Sequence, residues 1–592
     1  MFHDLTRARL ELSRFNRDSN LLLAGTEIFA DDDAVAHVLR ECGALVVDRP
    51  TPRTRVIWGD ADPAANATSY PVVRHDLPSR PWPAAERVEW AKKFMPVSAA
   101  EAAALDLSGL RVGVVLILEP KTAVLALLLH EAGADVAVFA PSFETDDDVA
   151  HYLSDQGIRV FADAAASEVE DAALAEAFLD FHPQLLIDDG AHLIRRAHER
   201  PDVMEHLRGA AEETTSGVRP LRLMDQAGEL RVPVIAVNDA RSKTLFDNRF
   251  GTGQTCAFAI YDLVPAEAMR WLVIGFGPVG AGVAHYGRAL GARVSVAEID
   301  PVRALEARCS GYDVVAVDDA LASVDVVISA TGIPLTITKK HLEAARPGTY
   351  VAVAGGVQDE VEPCAVPEGV VVLAGGHGIN YTAAEGNPIE IMDLSFGAQL
   401  AALGQLLAET PAPGVHLLNA AADARICERA LAAAGARIEP DTDARRAQAA
   451  TWNNSRYHAE NPERERPVTT VYSANLVVPV TAPSIVDGAV AVRDGRIVHV
   501  GERRWVLRAL EESGEPFTEE HWHGTITPGL INAHTHLQYT DMADVGRGHY
   551  LGFDDWASAF DAVYDHQTFD WLASSLRGTA QAIASGTTAC AD

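Results

Sequence analysis

Cysteine is scarce in this chain of 592 residues: six in all, Cys42, Cys256, Cys309, Cys364, Cys427 and Cys590, with no Cys-x-x-Cys pair among them. Such scatter excludes a disulfide-stapled secreted scaffold, and a reducing compartment is the expectation. Basic residues are also few, 49 Lys and Arg against 83 Asp and Glu, for a formal net charge of −34. A chain this acidic repels phosphates, and no local basic patch offsets the repulsion, so neither a nucleic acid nor an anionic membrane is expected as a partner. Long hydrophobic runs are missing too. The start, MFHDLTRARLELSRF, has no apolar stretch of signal-peptide type, and the runs elsewhere read as too short or too interrupted to span a bilayer. A cytoplasmic protein is expected. No repeat of solenoid period is present. What is present is a 48% hydrophobic, 22% charged composition, that of a soluble globular protein, in a chain long enough for three or four domains.

Residues 1 to about 80 mix short strand and helix signals and end in the proline-rich LPSRPWPAAE. From there to about 245, apolar strand runs (RVGVVLIL, DVAVFA, PQLLID, VPVIAVND) alternate with helical patterns, as in a parallel α/β sheet. A second such series begins at WLVIGFGPVG, and a helical stretch follows around 395–450. HAENPERERPVT is charged, proline-bearing and unpatterned, hence a linker.

The clearest chemical motif is VIGFGPVGAG, followed by RVSVAEID. Gly275, Gly277 and Gly280 have G-x-G-x-x-G spacing after an apolar strand, with Pro278 and Val279 between them. Glycines there permit a tight turn and let a pyrophosphate approach the next helix's amino end. Glu298 closes the following strand, placed to accept from a ribose hydroxyl. An acid at that position favours NAD over NADP, because a carboxylate repels a 2′-phosphate.

A second constellation precedes it: IDDGAHL, AAEETTSGV and VNDARSKTLFDNRFGTGQT. With the dinucleotide segment, these motifs resemble the S-adenosylhomocysteine hydrolases, and FDNRFGTGQT, YTAAEGNPIEIMDLSF and DTDARRAQAATW resemble their shorter archaeal and thermophilic branch. The resemblance spans about residues 85–455. It implies a substrate domain and an NAD domain that close over a nucleoside, a homo-oligomer (a tetramer), and a cofactor that oxidises the 3′-hydroxyl and reduces the ketone again after the 5′ thiol has left and water has added. Matched residue by residue, Lys243 and Asp247 handle the 3′-hydroxyl, Asp189 accepts the C4′ proton, and Glu213 binds the ribose. Asn248 supports the nicotinamide, and Thr214, Thr215, Ser216 and Asn380 contact NAD. The residue types suit this chemistry in themselves: a buried lysine beside an aspartate can lose its proton near neutral pH, and a buried carboxylate can act as a base.

One stretch departs from the adenosyl-specific pattern. Where those enzymes read His-x-Thr-x-Glu, this chain reads ILEPK, with Ile117, Glu119 and Lys121. Lys121 can donate to the O6 of a 6-oxopurine while Glu119 accepts from its N1–H, whereas adenine presents the opposite pattern. The same exchange resembles the S-inosylhomocysteine hydrolases within the family. A plain Glu119–Lys121 ion pair at a strand end is the alternative. Family histidines are replaced by Ile117, Val357 and Asn387, and a cysteine near the nicotinamide by Thr252. Asn387 remains a substrate-side candidate. The lost histidines leave open an NAD-dependent elimination or dehydration on another nucleoside, or a non-catalytic nucleotide-binding relic.

Towards the C-terminus, PGLINAHTHL after a small β segment and before GTTACAD resembles the amidohydrolase superfamily, in its branch that deaminates purines. His534 and His536, alternate residues of a strand, would face one divalent metal such as zinc at a barrel mouth. The barrel strands that would supply the remaining ligands are not in the sequence, so an incomplete deaminase-like part is expected. The fold expected is α/β: two doubly wound domains, then a small β segment and a truncated (β/α)8-type barrel. Its boundaries are an α/β extension over 1–80, a substrate domain over 81–250 completed by 390–455, a Rossmann domain over 251–389, a linker over 456–468, the β segment over 469–526 and the barrel start over 527–592. A deaminase tethered to the hydrolase would feed it an inosyl thioether at raised effective concentration.

Overall fold

The valine- and isoleucine-rich runs lie side by side as parallel strands with helical crossovers, the arrangement that buries such strands on both faces. The structure, a computed structural model, describes residues 2–590 except 67, 80, 81, 266–268, 358, 451–468, 515, 533–536, 543 and 567–569. The chain divides into two compact units, Met1–Pro440 and Asp441–Asp592.

Among the described residues, unit 1 holds three parallel sheets. The first has strands β1 (Glu27–Ala30), β2 (Leu45–Val47), β3 (Val56–Trp58) and β4 (Val73–Arg74) in the order β2-β1-β3-β4. The second has β5 (Arg111–Val115), β6 (Asp135–Phe139), β7 (Arg159–Phe161), β8 (Leu185–Asp188), β9 (Gly209–Glu212) and β10 (Pro233–Ala236). With Gly414–His416 on the edge beside β10, its order continues β10-β9-β8-β5-β6-β7. The chain therefore winds outward from β5 to β7, returns to β8 and winds the other way. A crevice opens at the carboxyl ends of β5 and β8, where such sheets bind ligands. The third sheet, with β11 (Arg270–Ile274), β12 (Arg293–Ala297), β13 (Asp313–Val314), β14 (Val326–Ser329), β15 (Tyr350–Val353) and β16 (Val371–Val372), is ordered β13-β12-β11-β14-β15-β16. Its switch point lies between β11 and β14.

Three helical features position the site. Glu119 caps the helix Pro120–Glu131, its carboxylate accepting from the Lys121 amide and proline filling the first turn. A π-helical turn, Asp247–Thr252, leads into the helix Gly253–Leu263, which packs on Pro278–Ala289 of the third sheet. That approach requires glycine: a Cβ on Gly282 would lie 2.1 Å from the Arg249 carbonyl oxygen. The third is Ile389–Glu409. Contrary to the expectation from the sequence, this helix is long and apolar enough to cross a membrane, yet it is mostly buried in the core of unit 1. Its inward polar groups are engaged there: Glu390 pairs with Arg55, and Asp393 accepts from the Val97 and Ser98 amides at 2.9 and 2.7 Å.

The N-terminal segment is stitched to the same region. Gln254 Nε2 donates to Asn16 Oδ1 and the Leu21 carbonyl, and Asn20 Nδ2 donates to the Glu385 carbonyl at 2.9 Å.

Unit 2 opens with the helix Asp443–Ala449 and holds a four-stranded sheet in the order Arg496–Glu502, Ile485–Arg493, Thr469–Val477, Phe517–Ile526. Val506 and Leu510 of the helix Arg503–Ser513 pack on Val471, Ala489 and Ala491. Leu530–Asn532 then pairs in parallel with Thr587–Cys590, with the helices Phe553–His566 and Trp571–Ala584 between them in sequence. The described residues show no closed barrel, since two parallel strands have too few neighbours to curl shut. The expected linker, 456–468, lies outside the described residues.

Candidate active site

β8 and β9 end in paired acids. Asp188 and Glu212 stand opposite one another in register, and both are fully buried. Each clamps backbone. Asp188 Oδ2 accepts from the amides of Leu193 and Ile194 at 2.9 and 2.7 Å, while Glu212 accepts from Gly190, Ala191 and Thr214 at 2.9, 2.8 and 3.0 Å. Gly217 makes room for this, since a Cβ there would sit 2.1 Å from Glu212 Oε1. The clamped turns fix the residues that follow, Asp189 and Glu213, at the mouth of the crevice. Burial, with the charge of Asp189 nearby, pushes Asp188 up to about 7 and Glu212 well above the usual carboxylate range.

Lys243 and Asp247 meet them. Lys243 Nζ lies 2.6 Å from Asp247 Oδ2 and 3.9 Å from Glu213 Oε1, and all three side chains are buried. Gln399 Nε2 donates to Glu213 Oε2 at 2.5 Å. Asn387 Nδ2 donates to Asp247 Oδ1 at 2.7 Å and to Thr252 Oγ1 at 3.0 Å, so Thr252 and Asn387 work as one support. Burial alone would depress the Lys243 ammonium, but Asp247 and then Glu213 outweigh it and hold the lysine above its ordinary range. The expectation that burial lets this lysine shed its proton near neutrality is thereby corrected: it is charged because its partners are close. Burial raises Asp189 to about 6 despite the attraction of Lys243, and it raises Glu213 to about 7.

At the other end of the crevice Lys121 is 1% exposed. Its ammonium lies 2.8 Å from Glu119 Oε2 and donates to the Glu385 carbonyl at 2.6 Å. The ion pair foreseen as the plain alternative therefore forms. It leaves capacity over: an ammonium has three hydrogens, and among the described residues two are used, while both contacts to Glu119 fall on Oε2 and leave Oε1 free. Burial raises the Glu119 carboxyl against the pull of Lys121.

The glycine-rich turn joins β11 to the helix Pro278–Ala289. Gly275 has φ +94°, a conformation that favours glycine, and a Cβ on Gly280 would lie 2.0 Å from the Gly275 carbonyl oxygen. Glu298 is turned to this backbone and accepts from Phe276, Ile299 and Asp300 at 2.6, 2.7 and 2.9 Å. After β9, Thr214 starts the helix Thr215–Gln226 without a side-chain cap bond, Thr215 Oγ1 donates to Asn238 Oδ1 at 3.1 Å, and Ser216 is exposed. Asn380 reaches Asn387 Oδ1 at 3.4 Å, and half-buried Asn248 follows Asp247 in the π-helical turn.

Residues 265–384 match the family model described as the S-adenosyl-L-homocysteine hydrolase NAD-binding domain. The chain is 36% identical over 399 residues to the S-inosyl-L-homocysteine hydrolase of Methanopyrus kandleri, a match covering 62% of this chain and 94% of that protein. The chain belongs to the S-adenosyl-L-homocysteine hydrolase family. It is also 37% identical over 399 residues to an adenosylhomocysteinase of Thermotoga maritima, covering 98% of it, and 34% identical over 402 residues to the S-inosyl-L-homocysteine hydrolase of Methanothermobacter thermautotrophicus, covering 95%.

The turn after β11 fits the NAD of this family: Gly275 and Gly280 leave no room for a side chain and so let the helix Pro278–Ala289 pack close on the strand, with its amino end suited to a pyrophosphate. Two residues that the sequence did not single out lie beside these groups. Glu385 ties Lys121 to Arg87, which also pairs with Asp146 at 2.6 Å, and Glu144 follows β6 close enough to feel the charge of Asp189. The E-x-N run at Glu385 and Asn387 was the one sequence signal for the first of these, and Glu144 had none. His534 and His536 lie outside the described residues, and among those described no group of three or more His, Cys, Asp or Glu is placed to hold a metal.

Proposed function

We propose that unit 1 catalyses the NAD-dependent, reversible hydrolysis of a nucleosidyl homocysteine thioether to nucleoside and homocysteine through a 3′-keto intermediate, with the inosyl thioether preferred to the adenosyl one. The observation that carries the reading is the buried Lys243–Asp247 pair at 2.6 Å, with Glu213 and Asn387 on either side of it and Asp189 near enough for Lys243 to hold down its rise. When bound, NAD supplies the hydride acceptor for C3′ and returns the hydride at the end. Asp247 accepts from the 3′-hydroxyl and Lys243 donates to the oxygen as it becomes a ketone. Glu213 holds the neighbouring hydroxyl. Asp189, ionised above about pH 6, takes the C4′ proton made acidic by the ketone. At the base, the third Lys121 hydrogen meets O6 and Glu119 Oε1 accepts from N1–H. A homo-oligomeric, cytoplasmic enzyme is part of the same proposal. Release of homocysteine from S-inosyl- and S-adenosylhomocysteine by NAD-loaded protein tests it, and turnover of neither would refute it.

For unit 2 we propose the opening part of an amidohydrolase-like domain. The parallel pairing of Leu530–Asn532 with Thr587–Cys590, with two helices between them in sequence, supports this reading. His534 and His536 would be metal ligands there, too few for a tight zinc site. Zinc retention that is weak and lost in His534→Ala is the expected result; tight binding unaffected by that change would refute it.

A further inference from the structure

The reaction proposed above needs a proton at sulfur when the C5′–S bond breaks, and the residues assigned so far cannot supply it. Asp189 is committed to C4′, and Lys243 is held between Asp247 and Glu213. We infer that Glu144 is the proton carrier on the 5′ side, a catalytic acid for the departing thiolate and a base for the attacking water.

The placement rests on the fold. Glu144 ends the short turn Ser142–Glu144 after β6, and β6 is the neighbour of β5 on the side away from β8. The loops after β8, β5 and β6 thus bring Asp189, the base-reading Glu119 and Glu144 to one edge of one sheet. The turn is pinned by backbone: the Leu118 amide donates to the Glu144 carbonyl at 2.9 Å and the Asp146 amide to the Leu118 carbonyl at 3.0 Å. Phe143 stacks on His377 with ring centroids 5.4 Å apart, and the helix Ile379–Thr382 packs against the turn. Yet the half-buried Glu144 carboxyl makes no hydrogen bond or ion pair among the described residues. Its backbone is fixed and its acid group is left for something else.

The charged and titratable groups around it are Asp189, Tyr381, the Glu119–Lys121 pair beyond Leu118, the Arg87–Asp146 pair after the turn, and His377 across Phe143. Burial first and then the charge of Asp189 push Glu144 up to about 8, while Asp189 stands at about 6. At neutral pH Glu144 carries a proton and Asp189 does not, the division of labour that two carboxyls need to act as acid and base.

The step balances. Asp189 takes the proton from C4′, the C5′–S electron pair leaves with sulfur, and the Glu144 O–H supplies the proton that completes the homocysteine thiol. The Glu144 carboxylate then takes a proton from water as its oxygen bonds C5′, and Asp189 returns its proton to C4′.

The test uses Glu144→Gln in the full NAD-loaded chain, read on partial reactions. Failure of the wild type to reduce its bound NAD on addition of inosine or adenosine would sink the underlying reaction and would be separable from any effect of Glu144. With that step present, the glutamine variant should keep NAD reduction and C4′ hydrogen exchange within a few-fold, while kcat for the homocysteine thioether falls by about 100-fold, the usual loss with a general acid. An aryl thioether, whose thiolate leaves without protonation, should recover most of that loss, and the basic limb of kcat near pH 8 should disappear. Equal loss of oxidation and cleavage, equal loss for both leaving groups, or unchanged cleavage would overturn the assignment. If the glutamine variant does not retain NAD, Glu144→Asp decides: cleavage that keeps the basic limb supports it, and oxidation without that limb overturns it.

Discussion

At the scale of single residues, the base-reading end turns on hydrogen counting. Lys121 spends two of its hydrogens on Glu119 and the Glu385 carbonyl and has one left. The wrong base leaves buried polar groups unpaired at about 1–3 kcal/mol each, roughly ten- to a hundredfold in preference per mismatch. Glu119→Thr with Lys121→Glu should therefore shift kcat/KM from the inosyl towards the adenosyl thioether by at least tenfold. Either change alone should do worse than the pair, because it strands a buried charge. An unchanged ratio would mean the two charges only tie a strand end to Glu385. Glu119 and Lys121 were legible in the sequence because they lie two residues apart at a strand-to-helix junction. Glu385 and Glu144 were not, since their role arises only when segments far apart in the chain come to one sheet edge. The charge state of Lys243 was misjudged for the same reason: burial can be guessed from a sequence, but the 2.6 Å approach of Asp247 that overrides it cannot.

At the scale of elements, the turn from β11 into Pro278–Ala289 is the part most fully written in the sequence, because glycine spacing reports directly on backbone geometry. Gly280→Ala should push the helix off the strand: its Cβ would stand 2.0 Å from the Gly275 carbonyl oxygen. Overpacking of about 1–3 kcal/mol corresponds to a ten- to hundredfold weaker hold on NAD, read as NAD content after gel filtration. Gly546→Ala in unit 2, where a Cβ meets nothing within 4 Å, is the control and should leave NAD content unchanged. The helix Ile389–Glu409 shows the opposite limit. Its apolar length gave no sign that Glu390, Asp393 and Gln399 each serve a distant partner, because buried polar partners are a tertiary property.

At the scale of the whole molecule, the acidity read from composition is partly internal. Asp393, buried beneath the Val97 and Ser98 amides, is pushed from 3.8 up to about 7, and Asp188 and Glu213 move the same way. The folded chain then holds protons that the unfolded chain has released, so this contribution to stability is present below about pH 4 and is lost as pH rises through about 7. Tm should accordingly be higher at pH 5 than at pH 8, with a flatter slope in Asp393→Asn; a Tm that rises over this range would contradict the assignment. The two doubly wound sheets were legible because alternating strand and helix patterns survive in a single sequence, whereas the anchoring of residues 16–23 onto Gln254 and Glu385 depends on contacts no local pattern encodes. The central claim, that unit 1 oxidises a nucleoside at C3′ with bound NAD, is tested most directly by mixing NAD-loaded protein with inosine and following the absorbance of the reduced cofactor. A rise in the wild type that is absent in Lys243→Met is the predicted result, and no change in the wild type with either inosine or adenosine would contradict it.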